Sequence, residues 1–182
     1  SDLYCYAFDG IGNTTDRTSP VTIAGFESAL SVSSNNHNTC AVKTDGTPWC
    51  WGWNAFGQVG VASTAGQLVP IAVSGVTGVA QISAGYTHTC ALLTDTTIKC
   101  WGDAAYGQLG NGNTNNQKTP VSVLASAGVD LSGVSAISTG TWHACALMSG
   151  TVKCWGDNDT YQLGNNSPDS NIPVTVPNLS GV

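Results

Sequence analysis

The amino-acid sequence repeats itself at intervals of about fifty residues, and this repeat restricts the chain to folds built from stacked copies of one unit. A Cys-Trp-Gly triplet begins at Cys50, Cys100 and Cys154, at spacings of 50 and 54 residues. Each triplet is followed by a Gln-x-Gly turn and then by a proline that opens a β-branched run. Chance does not place so many matches in phase, so we expect a repeat architecture.

Each repeat is predicted to form four short strands and no helix. In one copy the strands are expected at residues 79–83, 88–93, 98–102 and 120–124, separated by clusters of Gly, Asn and Asp. Four strands at this period are typical of a propeller blade, with a β-helix or a sandwich as the alternatives. Pro120 would open the fourth strand, which fits an outer edge where its missing N–H is not needed.

The predicted fold class is therefore all-β, a partial and open β-propeller of four-stranded blades with about 3.5 blades in this chain. Residues 1–27 are expected to form the outer half of a blade, with strands at 3–7 and 20–24. Complete blades are expected at 28–77, 78–130 and 131–182, all within one propeller domain. Such an arc would expose an apolar blade face at each end, which favours assembly with another chain.

The cysteines fit the same register. In each complete blade two cysteines lie symmetrically about a tight turn, which places them directly opposite each other on neighbouring strands. We expect three disulfides, Cys40–Cys50, Cys90–Cys100 and Cys145–Cys154. The alternatives are free thiols or a metal site, although the closer spacing of a zinc site is absent. The seventh cysteine, Cys5, is expected to be unpaired or to bond to another chain.

These motifs resemble the repeats of the regulator-of-chromosome-condensation-1 (RCC1) family, in the cysteine-containing form of secreted proteins. The matching residues are His88-Thr89-Cys90-Ala91-Leu92, Cys100-Trp101-Gly102, Gly107-Gln108-Leu109-Gly110 and Pro120-Val121-Ser122-Val123. The resemblance implies an RCC1-like propeller that acts as an interaction platform. Secreted relatives include enzyme inhibitors and surface-exposed binding proteins. The resemblance brings over no catalytic residue, because the matching residues build the blade.

The charge balance excludes several partners. The chain has 5 Lys and Arg against 11 Asp and Glu, a formal net charge of −6. So few basic residues cannot neutralise a phosphate backbone, and we expect no nucleic-acid binding. No stretch approaches the ~20 apolar residues of a membrane span, so no membrane insertion is expected. The sequence has no initiating Met and no signal peptide, which predicts a mature or excised form.

Candidate catalytic and metal-binding residues are few. His37, His88 and His143 fall at or near one repeat position, which favours a structural hydrogen bond over metal binding or catalysis. Glu27 is the only glutamate, and no nucleophile–base pair is suggested. Asp157-Asn158-Asp159 resembles the opening of a calcium loop, but the fixed Gly and closing Glu are missing, so a solvated loop is expected. We therefore predict no enzymatic activity, no metal and no cofactor.

The tryptophans divide into two groups. Those that recur in phase, Trp51, Trp101 and Trp155, are expected to pack between blades. Those that do not recur are candidates for binding sugars or a protein surface, with local packing as the alternative. They are Trp49, Trp53 and Trp142.

N-glycosylation sequons occur at four asparagines, all in predicted loops or blade connections, where a glycan could be accommodated. They are Asn13, Asn158, Asn165 and Asn178.

Together these features predict a non-catalytic extracellular structural or protein-interaction module, secreted or at the cell surface. It is expected to be a self-associating or partner-completed subunit of a surface or filamentous assembly. Its partners would be proteins, or copies of the chain that complete the open propeller, with glycans as further candidates. The alternatives are a secreted glycan-binding, lectin-like propeller and a proteinaceous enzyme inhibitor.

Overall fold

The computed structural model describes residues 10–15, 18–26, 28–179 and 181. These residues form fourteen β-strands and no helix, so the prediction of an all-β chain is confirmed. Nowhere in this described part is there a helix with the length and hydropathy needed to cross a membrane. Cys5 and the predicted strand at residues 3–7 lie outside the described residues.

Three antiparallel sheets follow one another, each with four strands in sequence order. The first sheet contains β1 (Ala29–Asn35), β2 (Asn38–Lys43), β3 (Pro48–Gly52) and β4 (Gln67–Ala72). The second contains β5 (Val79–Ala84), β6 (His88–Leu93), β7 (Ile98–Gly102) and β8 (Gln117–Ser122). The third contains β11 (Val134–Thr139), β12 (His143–Met148), β13 (Thr151–Gly156) and β14 (Ser170–Thr175). A small hairpin of β9 (Leu124–Ser126) and β10 (Val129–Asp130), not predicted from the sequence, connects the second sheet to the third.

The second and third strands of each sheet form a hairpin closed by a disulfide. Opposed cysteines are joined in all three, as Cys40–Cys50, Cys90–Cys100 and Cys145–Cys154. In the first hairpin Gly46 has φ 77°, a left-handed conformation that glycine adopts without a Cβ clash. Because side chains alternate along a strand, the cysteines point to one face of each sheet and the tryptophan after the third-strand cysteine to the other. We call these the cysteine face and the tryptophan face.

The core lies between sheets, where the cysteine face of one meets the tryptophan face of the next. Cys40 and Val42 of the first sheet pack in one cluster with Ile82 and Trp101 of the second. The same arrangement recurs between the second and third sheets, with the members Cys90, Leu92, Ile137 and Trp155. Each sheet is therefore stabilised by its neighbours in the array.

Several hydrogen bonds cross each junction, and a bond from a tryptophan indole recurs at both. The indole Nε1 of Trp101 donates to the carbonyl oxygen of Gln58 at 2.9 Å, and Trp155 donates to Gln108 at 2.9 Å. Both indoles are fully buried, so the prediction that they pack between blades is confirmed. Trp51 is 4% exposed, and Gly10 of the N-terminal segment lies against its ring as Gly60 lies against Trp101.

Two strand predictions need correction. Residues 20–24 form no strand, because no described strand runs beside them to supply a hydrogen-bonding ladder, although Ile23 packs near Gly10 and Trp51. The fourth strand begins at Gln117 rather than at Pro120. The register between β7 and β8 shifts between Cys100 and Gly102, so Pro120 falls where an edge strand is irregular and its missing N–H breaks no ladder bond.

Candidate functional site

The tryptophan face of the first sheet has no neighbouring sheet over it in the described chain. Val32 is 68% exposed, whereas Ile82 and Ile137 at the equivalent positions of the next two sheets are 3% and 6% exposed. A cavity of about 400 Å³ opens over this face, lined by Phe26 and the strand residues around Val32. Exposed apolar area of this kind marks a surface that binds another protein surface.

Trp49 lies at the outer border of this open face. Its ring meets Phe26 edge-on with centroids 5.9 Å apart, and the Lys43 ammonium lies 4.2 Å from its centroid. The same ammonium lies 4.9 Å from the Phe26 ring, so one cation holds both aromatics. Trp49 is therefore engaged in local packing that ties the N-terminal segment to the first sheet.

A second group of aromatic residues lies on the loops at the edge of the first and second sheets. Trp53 contacts His37 at 5.5 Å, Phe56 at 5.4 Å and Tyr86 at 6.3 Å between ring centroids. Trp53 is half-buried within this group. The rings of this group contact one another across two neighbouring sheets, so they pack at the junction between the sheets.

The corresponding edge between the second and third sheets carries an exposed ring pair. Tyr106 and Trp142 are 37% and 39% exposed, with centroids 5.6 Å apart and planes tilted by 35°. A cavity of about 260 Å³ lies beside Tyr106 and is also lined by Asp169. A second cavity of about 430 Å³ lies beside Trp142 and is lined by Asp157 and Asp159. Of the three non-recurring tryptophans, only Trp142 presents its ring to solvent in this way.

Three carboxylates meet between these cavities. One oxygen each from Asp157, Asp159 and Asp169 lies within 4.8 Å of the others, and we call this group the aspartate cluster. The sequence singles out Asp157 and Asp159 but not Asp169. Asp169 reaches the group because its Oδ1 accepts a hydrogen bond from the backbone N of Asn158 at 2.7 Å, as Asn116 Oδ1 accepts one from Ala104 N at 2.9 Å at the equivalent position of the second sheet.

Asn158 holds this loop together instead of serving as a glycan acceptor. Its Oδ1 accepts a hydrogen bond from the backbone N of Leu163 at 2.8 Å, and its Nδ2 donates to the Asn165 carbonyl at 3.3 Å. It is 5% exposed, so the folded chain has no room for a glycan at this position, contrary to the sequence prediction. Asn54 makes the same Oδ1 contact, to Val59 N at 2.9 Å, and this shared repeat position is the signal that could have identified the role.

The other sequons differ in their surroundings. Asn178 is exposed and has φ 57°, whereas Asn13 and Asn165 are half-buried. Asn165 Oδ1 accepts hydrogen bonds from Asn158 Nδ2 at 3.1 Å and from Ser167 N at 3.1 Å. Glycosylation at these three sites stays a prediction.

The predicted structural hydrogen bond of the histidines is wrong for His88. Its ring is fully buried, and neither ring nitrogen has a hydrogen-bond partner among the described residues. Burial lowers the pKa of His88 to about 3, with a smaller contribution from His143, so the ring is neutral at ordinary pH. The ring packs closely against Gly85, where a Cβ would collide with it. His88 thus fills space at the junction.

The other two histidines are less enclosed. His143 is half-buried and lines the cavity beside Trp142, and burial lowers its pKa while the nearby Asp157 opposes that shift. His37 contributes ring contacts to Trp53 and Tyr86.

Family models place these repeats among known sequences. A model described as the regulator of chromosome condensation (RCC1) repeat matches residues 45–92, 100–147 and 149–182. A second model of the same repeat matches residues 30–58, 79–108 and 134–162. The first two segments of the former run from the third strand of one sheet to the second strand of the next, so each straddles a junction. No curated protein sequence matches the chain.

Solved structures share the fold at low sequence identity. Human WBSCR16 has a TM-score of 0.76 at 20% identity, covering 93% of this chain and 45% of that protein. Prp20p from Saccharomyces cerevisiae has a TM-score of 0.67 at 21% identity, covering 81% of this chain and 38% of that protein. The chain therefore spans less than half the length of these relatives. The prediction of four-stranded RCC1-like propeller blades in an open arrangement is confirmed.

Proposed function

The chain belongs to the RCC1 repeat family, and we propose on that premise that it is a non-catalytic extracellular protein-interaction module. We further propose that protein partners or copies of the chain itself cover its open blade face, in a surface or filamentous assembly.

The extracellular part of the proposal is supported by the disulfides. Each of the three sheets carries one, and two of them are sealed inside the junctions. Disulfides persist in oxidising compartments and are rare in the cytosol. The non-catalytic part is supported by the blade-building role of the repeat residues, since the buried tryptophans and glutamines hold sheets together and offer no reactive group.

One observation carries the interaction proposal. Val32 is 68% exposed on the tryptophan face of the first sheet, whereas the same face is buried in the next two sheets. Burying a valine side chain stabilises a complex by about 1.5–3 kcal/mol. One solved structure with this fold holds Kap60 bound to yeast RCC1 (Prp20), at 21% identity to this chain and a TM-score of 0.68. A protein with a similar fold therefore binds another protein.

The test is to place a charge on the open face. We expect the native chain to associate as its concentration rises from micromolar to hundreds of micromolar, and Val32→Asp to stay monomeric, because a carboxylate cannot be buried there unpaired. Sedimentation velocity measures both. Val129→Asp is the matched control, because Val129 is 55% exposed on the connecting hairpin away from this face. Self-association would be refuted by a native chain that stays monomeric throughout, or by equal effects of the two substitutions.

The glycan-binding and inhibitor alternatives have narrower support. Trp49 and Trp53 are half-buried in ring contacts, so among the three candidate tryptophans only Trp142 offers an open aromatic surface. The edge on which Trp142 lies is distinct from the open tryptophan face of the first sheet.

A further inference from the structure

The exposed Tyr106–Trp142 pair lies on the loops between the second and third sheets. Trp142 directly precedes β12, and Asp157 directly follows β13, and the backbone N of Asp157 donates to the carbonyl of Trp142 at 3.0 Å. Adjacent strands of one sheet therefore fix the ring and the carboxylate relative to each other. The ends of β12 and β13 thus hold Trp142 and Asp157 in place, whereas Tyr106, Asp159 and Asp169 lie on loops.

The two rings make fewer ring contacts than the other loop aromatics. Trp53 has three ring neighbours, whereas Trp142 and Tyr106 have only each other among the described rings. Cavities of about 260 and 430 Å³ lie on either side of the pair. An exposed aromatic pair between two cavities can accept a flat group against a ring face on either side.

The aspartate cluster decides the charge of that group. One oxygen of Asp157 accepts a hydrogen bond from Asp159 N at 3.0 Å, and one oxygen of Asp169 accepts the bond from Asn158 N. No lysine or arginine in the described part of the chain forms an ion pair with any of the three. Three carboxylates within 4.8 Å repel one another, so a cation brought between them relieves that repulsion. The net charge of −6 adds long-range attraction for a basic partner.

We propose that the Tyr106–Trp142 pair and the aspartate cluster bind an arginine side chain presented by an exposed segment of a partner protein. A guanidinium group is planar and weakly hydrated, so it stacks on an aromatic ring. Its fork of N–H donors also pairs with carboxylates in a fixed geometry. A lysine ammonium group has no flat face to stack on the rings, and it lacks the fork of donors that pairs with carboxylates in a fixed geometry. A calcium ion would use the carboxylates but would leave the ring faces unused.

This site is separate from the open tryptophan face, so it can succeed or fail independently of the proposed self-association. Its partner would approach the loop edge and leave Val32 uncovered. Binding through two exposed carboxylates and two half-exposed rings is expected to be weak for a single side chain and to strengthen when a segment presents several arginines.

The experiment uses calorimetric titration of the whole chain with a peptide that contains three arginines spaced by glycines. The matched control peptide has citrulline in place of each arginine, which keeps the planar shape and removes the charge. We expect the arginine peptide to bind at least tenfold more tightly than the citrulline peptide. We also expect arginine-peptide binding to weaken about threefold to tenfold between 0.05 and 0.5 M salt, because partly exposed charges are screened.

Variants locate the site. We expect Trp142→Ala, and separately Asp159→Asn combined with Asp169→Asn, to weaken arginine-peptide binding at least tenfold without changing the thermal midpoint appreciably. Tyr161→Ala is the matched control, because Tyr161 is 70% exposed on the same loop but lines neither cavity. The proposal is overturned if citrulline binds equally well or if the variants bind as the native chain does. Two other results also overturn it. One is that the chain binds calcium but not the arginine peptide. The other is that it binds a neutral oligosaccharide, that Trp142→Ala abolishes this binding, and that the arginine peptide does not bind.

Discussion

The first and second sheets have the same strand order and register but different surroundings. Val32 pairs with Ala41 in one, and Ile82 pairs with Ala91 in the other. Ile82 is 3% exposed because the cysteine face of the first sheet covers it, whereas Val32 is 68% exposed. The two positions show that burial in this chain comes from the neighbouring sheet, since the strand pattern itself is the same. Stability in such an array is the sum of the repeats and the junctions between them.

Removing a side chain at the two positions tests this difference most strongly. We expect Ile82→Ala to lower the free energy of unfolding by about 2–5 kcal/mol, because it leaves a cavity inside a junction. Val32→Ala at the equivalent exposed position should change it by less than about 0.5 kcal/mol. Urea denaturation at low protein concentration, where association is minimal, measures both. Equal losses would show that the first sheet is covered in solution and would contradict the difference in burial.

The disulfides extend the comparison to the last sheet. Cys90 and Cys100 are 1% and 0% exposed inside a junction, whereas Cys145 is half-buried. We expect a mild reductant to open Cys145–Cys154 first, because a thiolate must reach a sulfur to react. Timed alkylation and peptide mass spectrometry give the order. Simultaneous opening of all three bonds would mean that access does not control reduction.

Replacing Cys90 and Cys100 by Ala should lower the free energy of unfolding by about 2–3 kcal/mol, because the disulfide no longer constrains the unfolded chain.

His88 in the second sheet and Asn38 in the first occupy the same repeat position, but only His88 can make stability depend on pH. The pKa of His88 is lowered from 6.5 to about 3 by burial, so the unfolded chain binds a proton that the folded chain does not. Stability is therefore lost as pH falls below 6.5, by about 2 kcal/mol at pH 5. Urea midpoints at pH 7 and pH 5 measure the loss, and His88→Asn should largely remove it.

Two carboxylates also make the free energy of unfolding fall as the pH falls, but at lower pH than His88 does. Hydrogen bonds from Thr47 and Thr97 lower the pKa of Asp45 and Asp95, so their stabilising effect is lost only as pH falls below about 4. His143 also has a lowered pKa because of burial, and it would account for any small pH dependence that survives in His88→Asn. A native chain equally stable at pH 7 and pH 5 would contradict the buried, neutral state of His88.

Much of the fold could be predicted because the repeat fixes register. The opposed cysteines set the hairpins, and strands β6 and β7 begin and end where the sequence analysis puts them. The phase of Trp101 and Trp155 likewise indicated their place between sheets. Periodic positions carry this information because every copy must meet the same neighbour.

Features that depend on side-chain packing or on local backbone geometry were harder to predict, even at repeated positions. Asp169 joins Asp157 through a loop contact that Asn116 also makes in the second sheet, but the sequence hides the correspondence because the two residue types differ. Pro120 was placed at a strand start because the irregular register between β7 and β8 leaves no mark in the sequence. His88 was given a hydrogen bond because a shared position suggested one, whereas its ring packs against Gly85 in the turn between β5 and β6, as His143 packs against Gly140.

The bond from Trp101 to Gln58, and its counterpart from Trp155 to Gln108, always points from a later sheet to the one before it. A ribosome releases the earlier sheet first, so each new indole emerges when its acceptor is already in place. The strands within a sheet also pair in the order in which they are made. The chain can therefore fold in the direction of its synthesis, one blade at a time, because the tryptophan faces of the second and third sheets are each covered by a sheet that has already been made.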